Sequence, residues 1–585
     1  MRFLIVGAVL GLALPWPAAR ADDSASKEQI WEGTLSVRPG VDLRLIVRVT
    51  NQGAGDLAAV MDSPDEGLKG LKLTSVTVDK SRLAFDLKVS GARYDGKLNA
   101  AGTQATGQWS QRSANLPLTF TKKDKPTPEP KLVGKEQFWQ GKLPIGNGIH
   151  YRFLLRLATT ETGEILGKLD SLDEGFKGLK LSAITLDKAR LAFELKMSAA
   201  KYEGKLNKEG TESVGTWAQR GVKIPLTFTK TEKPMAVLRP QTPKPPYHYK
   251  VEDVTYRNER ANVILAGTLT VPAGKGPFQA VILISGSGAQ DRDETILQHK
   301  PFLVLADHLT RRGIAVLRVD DRGVGRSTGN VATSTSEDFA SDVLAGIAFL
   351  KSRDDVDPKR IGLIGHSEGG LIAPMVASRS TDVAFISMLA GTGLPGDQIM
   401  YLQGRLIGKA LGADEKELAK QREIQQRLFD IIKTESDTEK AHKCLLETTK
   451  KMLSDLPEDE RKQAKDMEAL LDSQVKGLDS PWFRFFLTFD PRPTLAKVRC
   501  PVLALNGEKD LQVPAKENLQ EIRNALERGG NTRVTVKELP SLNHLFQTCK
   551  TGAVSEYGEI EETFAPVALQ SISDWIIEQV KNRPR

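Results

Sequence analysis

Cysteine is scarce in this chain: Cys444, Cys500 and Cys549 are the three present in 585 residues. At most one intramolecular bridge can form, so no disulfide framework holds the fold. A chain of this length can instead bury a large apolar core. Charge of one sign is also lacking. The net charge is +8, and the lysines and arginines are interleaved with acids rather than massed, which argues for a solvated surface and against a nucleic-acid groove. The N-terminal apolar run (Phe3, Leu4, Ile5, Val6, then Ala8 to Leu14) is too short to span a bilayer as a permanent helix. The Gly/Ser loop Ser285-Gly286-Ser287-Gly288 lacks the lysine of a phosphate cradle. Nothing in the sequence implies a metal or an organic cofactor.

What the N-terminus does contain is Arg2 ahead of the apolar run and small residues in Ala19-Arg20-Ala21, the pattern a signal peptidase reads. Residues 1–21 are therefore expected to be a signal peptide and the mature protein secreted or periplasmic. No cysteine stands near the cleavage point, which argues against lipid attachment there.

Beyond it the chain holds two copies of one pattern. Trp31-Glu32-Gly33 matches Trp139-Gln140-Gly141, Tyr94 matches Tyr202, and Trp109 matches Trp217, all at an offset of 108 (139 − 31 = 217 − 109). Within each copy apolar residues alternate with polar ones, as in Leu43-Arg44-Leu45-Ile46-Val47-Arg48-Val49. That is the signature of half-buried antiparallel strand. The expectation is two tandem all-β repeats, 22–124 and 131–232, each a small barrel or sandwich. A Pro-rich linker over 233–248 should act as a stiff spacer. Trp31, Trp109 and their counterparts are read as core residues, although exposed aromatics could form a platform for carbohydrate; contact with the cell envelope or with carbohydrate would fall to these repeats.

The chemistry concentrates further on. Gly365-His366-Ser367-Glu368-Gly369 comes after a strand pattern (Ile361, Leu363, Ile364) and precedes a small-residue helical pattern (Gly370, Leu371, Ala373, Met375, Ala377). A serine on such a strand–turn–helix junction is placed as a nucleophile. Its hydroxyl needs a histidine to take the proton, and that histidine needs a carboxylate to fix its tautomer. Asp510 lies just past the apolar strand around Val502-Leu503-Ala504-Leu505, with Glu508 as the nearby competitor. His544 lies past the strand Val534–Leu539, and of the seven histidines it alone is in the expected place. Two backbone amides should hold a developing oxyanion: Glu368, next to the serine, and Ser287 in the loop after Ala280–Ile284, with Gly288 as the next choice.

These stretches, together with Ala289-Gln290-Asp291-Arg292-Asp293, Asp320-Asp321-Arg322-Gly323-Val324-Gly325-Arg326-Ser327 and Ser480-Pro481-Trp482-Phe483, make residues 249–585 resemble the bacterial esterase branch of the α/β-hydrolase superfamily. Its members overlap with serine aminopeptidase-like and dienelactone-hydrolase-like proteins. One departure is that many relatives carry His-Gly where this chain has Ser285-Gly286; because the donor there is backbone, the change need not abolish activity. The resemblance implies an α/β-hydrolase domain acting on a small-molecule ester through a Ser-His-Asp triad and an acyl-enzyme. A peptidase with the same triad, or an envelope-binding protein built on an inactive scaffold, are the alternatives. Between the strand ending at Leu389 and that of Asp510, a charged helical stretch over about 396–490 is expected to cap the site. Trp482, Phe483, Phe485 and Phe486 could line an acyl pocket there or pack between helices.

Overall fold

The computed structural model describes residues 28–581 apart from 39–40, 54–55, 67, 88–90, 112–113, 129–131, 147, 220–221 and 456–470. The expected signal segment lies outside the described residues. Contacts divide the chain into two units, one built mainly from the β repeats through Ala236 and one from Val237 onward.

In the first repeat eight strands, from Gln29–Arg38 to Ala114–Lys123, are hydrogen-bonded in sequence order. The first strand pairs with both the second (Trp31 opposite Val47) and the last (Trp31 opposite Lys122), so the sheet closes into a barrel. Alternation fills its interior: along Ala92–Leu98 buried and exposed residues succeed one another. Inside, Tyr94 meets Phe120 edge-on with centroids 4.9 Å apart, and in the second repeat Tyr202 meets Phe228 at 5.0 Å. The buried hydroxyls are satisfied, Tyr94 donating to the Ala105 carbonyl at 2.7 Å and Tyr202 to that of Ser213 at 2.8 Å. Trp31, Trp109, Trp139 and Trp217 are all buried and serve as core.

The second repeat takes the same path with one interruption. The counterpart of strand Leu68–Val78 is split into Phe176–Lys180 and Ser182–Leu186. Leu181 between them still donates its N–H to the Gly167 carbonyl at 2.9 Å, leaving a nearly closed barrel of nine strands.

The second unit carries one eight-stranded sheet, numbered here within its own domain: β1 Lys250–Asn258, β2 Val263–Val271, β3 Phe278–Ile284, β4 Ile314–Val319, β5 Val356–His366, β6 Val383–Leu389, β7 Val502–Gly507 and β8 Val534–Leu539. The spatial order is β1-β2-β4-β3-β5-β6-β7-β8. The first two junctions, β1 with β2 and β2 with β4, are antiparallel and the rest parallel. Every residue of β6 and β7 is buried, as expected of parallel strands covered on both faces. Helices α1 (Pro301–Arg311) and α11 (Pro566–Lys581) pack on one face, and α2 (Ser336–Lys351), α3 (Glu368–Ala377) and α10 (Ala515–Arg528) on the other. This is the α/β-hydrolase architecture.

Between β6 and β7 lie α4 (Gly396–Ala410), α5 (Glu415–Thr434), α6 (Thr438–Ser454), α7 (Leu471–Leu478), α8 (Pro481–Thr488) and the short α9 (Arg492–Leu495). Local signals start them: Asp414 and Glu417 form a capping box at α5, and Ser480 caps α8 by accepting from the Phe483 N–H. The insertion has its own core of Leu428, Phe429, Ile432, Leu445, Val475, Phe483 and Leu487. Phe486 belongs instead to the core of the sheet, and Trp482 stacks on it. These aromatics therefore bind insertion to domain, the packing role of the two considered.

The expected linker, 233–248, is docked through Arg239 and Gln241 rather than free. Arg239 donates to the carbonyls of Leu297, Gly558 and Ile560, and Gln241 exchanges hydrogen bonds with Thr563 and Phe564. Cys444, Cys500 and Cys549 are unbridged. Among the described residues no helix is long and apolar enough to cross a membrane.

Candidate active site

Parallel strands deliver their carboxyl ends to one edge of the sheet, and the candidate residues gather there. Ser367 stands directly after β5, with φ 53° and ψ −115°. A non-glycine residue in that region stores about 1–3 kcal/mol of strain, which the surrounding contacts must hold. They do so through close packing: a Cβ on Gly365 would stand 1.9 Å from the Gly369 carbonyl oxygen, and one on Gly369 2.1 Å from that of Ile284. Only glycines let strand, turn and helix approach this closely. The Ser367 N–H is fixed on the Leu389 carbonyl at 2.8 Å.

Asp510, three residues beyond β7, and His544, five beyond β8, are brought to this serine. His544 Nε2 lies 3.1 Å from Ser367 Oγ, and His544 Nδ1 lies 2.8 Å from Asp510 Oδ2. The carboxylate can only accept, so Nδ1 carries the hydrogen and Nε2 is left to accept from the serine hydroxyl. The other Asp510 oxygen accepts the N–H groups of Gln512 and Val513, both at 2.8 Å, which fixes the carboxylate. The His544 loop is shaped by Asn543, whose side-chain oxygen accepts the N–H groups of Leu545 and Gln547. Glu508 points elsewhere, accepting the Ser541 N–H at 2.8 Å.

Of the two expected oxyanion donors, one adjoins the serine in the chain and the other lies in the loop whose Gly286 packs against it. Glu368 is the first residue of α3, and Ser287 lies in the exposed loop after β3. Among the described residues neither backbone N–H donates to a protein acceptor. Gly288, the alternative, has φ 100°. The Ser287 carbonyl accepts from Gln290 Nε2, and the loop is tied down by Asp321, which accepts from the Ser285 hydroxyl and the Gln290 N–H. Burial pushes the Asp321 carboxyl well above the ordinary range.

Sequence reasoning passed over two residues of this site. Glu294 Oε1 accepts the Gly286 N–H at 2.7 Å and lies 2.9 Å from His366 Nδ1; His366 Nε2 lies 2.9 Å from the His544 carbonyl oxygen. The signal was present as the acidic run Asp291-Arg292-Asp293-Glu294. Its partners are distant in sequence, so the pairing was not readable. The Glu368 side chain is also buried and accepts from the Ser336 hydroxyl at 2.5 Å. Desolvation raises its carboxyl against the opposing effects of Ser336 and the nearby Trp482 indole. That indole N–H is buried and falls short of full hydrogen-bond geometry.

A cavity of about 1050 Å³ opens between α4, α5 and α10, lined by Leu394, Tyr401, Leu402, Leu418, Arg422 and Lys516 among others. Ser367, Asp510 and His544 do not line it. The site is defined by hydrogen-bond geometry, not by this hollow.

Comparison with known proteins agrees with the architecture. Residues 281–550 match the model of the alpha/beta hydrolase family. Esterase EstD of Thermotoga maritima is 28% identical over 300 residues, 51% of this chain and 61% of that protein, so the chain spans less than two thirds of this relative's length. A solved esterase of Pyrococcus furiosus aligns at 17% identity over 56% of this chain and 93% of its own, with a TM-score of 0.33. Est1E of Butyrivibrio proteoclasticus, solved with ferulic acid bound, aligns at 17% identity over 56% of this chain and 100% of its own, also at 0.33. From Val237 onward the chain carries a domain of the α/β-hydrolase superfamily, and its similarities lie on the esterase side.

Proposed function

We propose that this protein is an exported serine hydrolase of carboxylic esters. The observation that carries the reading is the continuous hydrogen-bonded chain Ser367–His544–Asp510 at a strained turn. In this reading Ser367 Oγ attacks the ester carbonyl carbon while its proton passes to His544 Nε2. Asp510 holds the ring and stabilises the imidazolium. The amides of Glu368 and Ser287 hold the oxyanion of the tetrahedral intermediate. Its collapse breaks the ester C–O bond, and the departing alcohol takes the proton from His544. Water, activated by the same histidine, then releases the acid from the acyl-serine. Export rests on the N-terminal sequence pattern alone.

Labelling with a fluorophosphonate tests the chemistry. Wild type is expected to be modified on the peptide containing Ser367 and to cleave p-nitrophenyl esters; Ser367→Ala is expected to do neither, with turnover lower by about 10⁴-fold or more. Equal activity in both proteins would sink the reading. Parallel assays on aminoacyl amides separate an esterase from a peptidase, and periplasmic or culture fractions probed for the processed chain test export.

A further inference from the structure

Glu294 stands where three segments of the site meet: the loop after β3 through the Gly286 N–H, the end of β5 through His366, and the His544 loop through its carbonyl. A carbonyl oxygen can only accept, so His366 Nε2 carries a hydrogen. With Nδ1 directed at a carboxylate, both ring nitrogens act as donors and the ring forms an imidazolium–carboxylate pair with Glu294. Burial disfavours a charged ring here, but the Glu294 charge and hydrogen bond outweigh it and lift His366 above the ordinary histidine range.

The backbone supplies a second, independent observation. Glu294 has φ 52°, a left-handed conformation, while its residue is only 5% exposed. Glycine or asparagine meets such a φ more cheaply, but neither offers a carboxylate. Its neighbours anchor the segment to the end of β4 and the start of α1: Arg292 pairs with Asp320, and Asp293 with Arg318 and Lys300. The loop held in this way touches the nucleophile, since a Cβ on Gly286 would stand 3.3 Å from Ser367 Cβ. Because the Gly286 amide is committed to Glu294, the amides that follow it in the loop, beginning with that of Ser287, are the ones without a protein acceptor among the described residues.

We propose that Glu294 is a positioning residue for the reaction at Ser367, acting through His366 to hold the oxyanion loop and the His544 backbone at one spacing from the nucleophile. The proposal rests on the ester-hydrolase reading. Oxyanion donors act only when they lie about 3 Å from the charge that develops in the transition state. Loosening them therefore lowers kcat and leaves ground-state binding nearly unchanged.

Full-length Glu294→Gln, His366→Gln and the double variant test this, with Ser367→Ala as control and kcat expressed per serine titrated by fluorophosphonate. Glutamine can still accept the Gly286 N–H, but it removes the charge that balances His366. In Glu294→Gln we expect kcat to fall about 10–100-fold, with KM within about threefold and an unchanged circular-dichroism spectrum. The double variant should be no more than about twofold slower than the slower single variant, because the two residues act as one unit. The proposal is overturned by wild-type kcat in folded Glu294→Gln, by fully additive losses, or by failure of all three variants to fold, which would make the pair purely structural. Activity retained by Ser367→Ala would overturn the ester-hydrolase reading itself, so the two failures are distinguishable.

Discussion

Asp510 and His544 are joined by a 2.8 Å hydrogen bond at Nδ1, whereas Glu508, two residues upstream of Asp510, faces away and caps the Ser541 N–H. The two acids, indistinguishable by type in the sequence, thus have different work. Asp510→Asn replaces an acceptor with a group that can also donate, which disturbs the tautomer that presents a free Nε2 to Ser367. Ester turnover is expected to fall by roughly 10³–10⁴-fold with the fold intact. Glu508→Gln should stay within about threefold of wild type, since its amide oxygen can still accept from Ser541. Steady-state kinetics on a soluble ester check both, and the reverse pattern would assign the orienting role to Glu508.

The buried Glu368 side chain gives a pH-dependent prediction. Its carboxyl is raised above 4.5, chiefly by desolvation. The folded protein therefore binds that proton more tightly than the unfolded chain. The resulting stability is complete below 4.5 and is lost as pH rises through the raised value. Glu368→Gln keeps an acceptor for the Ser336 hydroxyl and cannot ionise. Its thermal midpoint relative to wild type should rise as pH increases above 4.5. A difference that does not change with pH over this range would mean the carboxyl is not desolvated in solution.

The docked segment before β1 yields a third test. A chain beginning at Val237 keeps Arg239 and Gln241, whose hydrogen bonds reach Leu297, Gly558, Ile560, Thr563 and Phe564. One beginning at Pro245 loses them all. At about 0.5–1.5 kcal/mol for each of these five hydrogen bonds, the shorter protein should be less stable by about 2.5–7.5 kcal/mol. Urea denaturation of the two measures the difference directly. Ser367 should react with fluorophosphonate in both wherever they are folded, and an insoluble longer chain would mean that the domain from Val237 onward depends on the repeats to fold.

What could be read in advance divides along physical lines. The barrel strands, the sheet and the junction at Ser367 rest on local patterns of period two, apolar runs and glycine spacing, and these were legible. The closure of the first repeat, with Trp31 opposite Lys122, was not, because a sandwich and a barrel share the same alternation. Nor was the break at Leu181, where the second copy of the repeat splits one strand into two. Polar networks were the least legible. Glu294 and His366 are 72 positions apart, and no periodicity relates them. The Pro-rich segment at 233–248 looked like a spacer because its composition is that of one; its docking depends on Arg239 and Gln241, two polar residues that composition does not single out.

The helical insertion carries the last prediction. Its small core joins Leu428, Phe429, Ile432, Leu445 and Val475 to Phe483 and Leu487, while Phe486 on the same helix α8 is packed into the main domain. Through α8, Trp482 approaches Glu368, the residue after the nucleophile. A change in α5 to α7 should therefore be felt near Ser367 even though those helices carry none of its partners. Shortening the chain between Ala413 and Leu478 uncovers Phe483, so Phe429→Ala makes a milder companion. Phe429 is buried against Phe483 with centroids 5.8 Å apart, and its truncation costs about 3–5 kcal/mol of local packing. If the insertion restricts entry, bulky esters gain relative to small ones in both variants. The shift in kcat/KM ratio should be about tenfold, within the range that pocket shape usually commands. Reaction of Ser367 with a small fluorophosphonate should be unaltered. A folded deletion variant with the wild-type ratio would place the insertion's role elsewhere, as a contact surface for a second subunit.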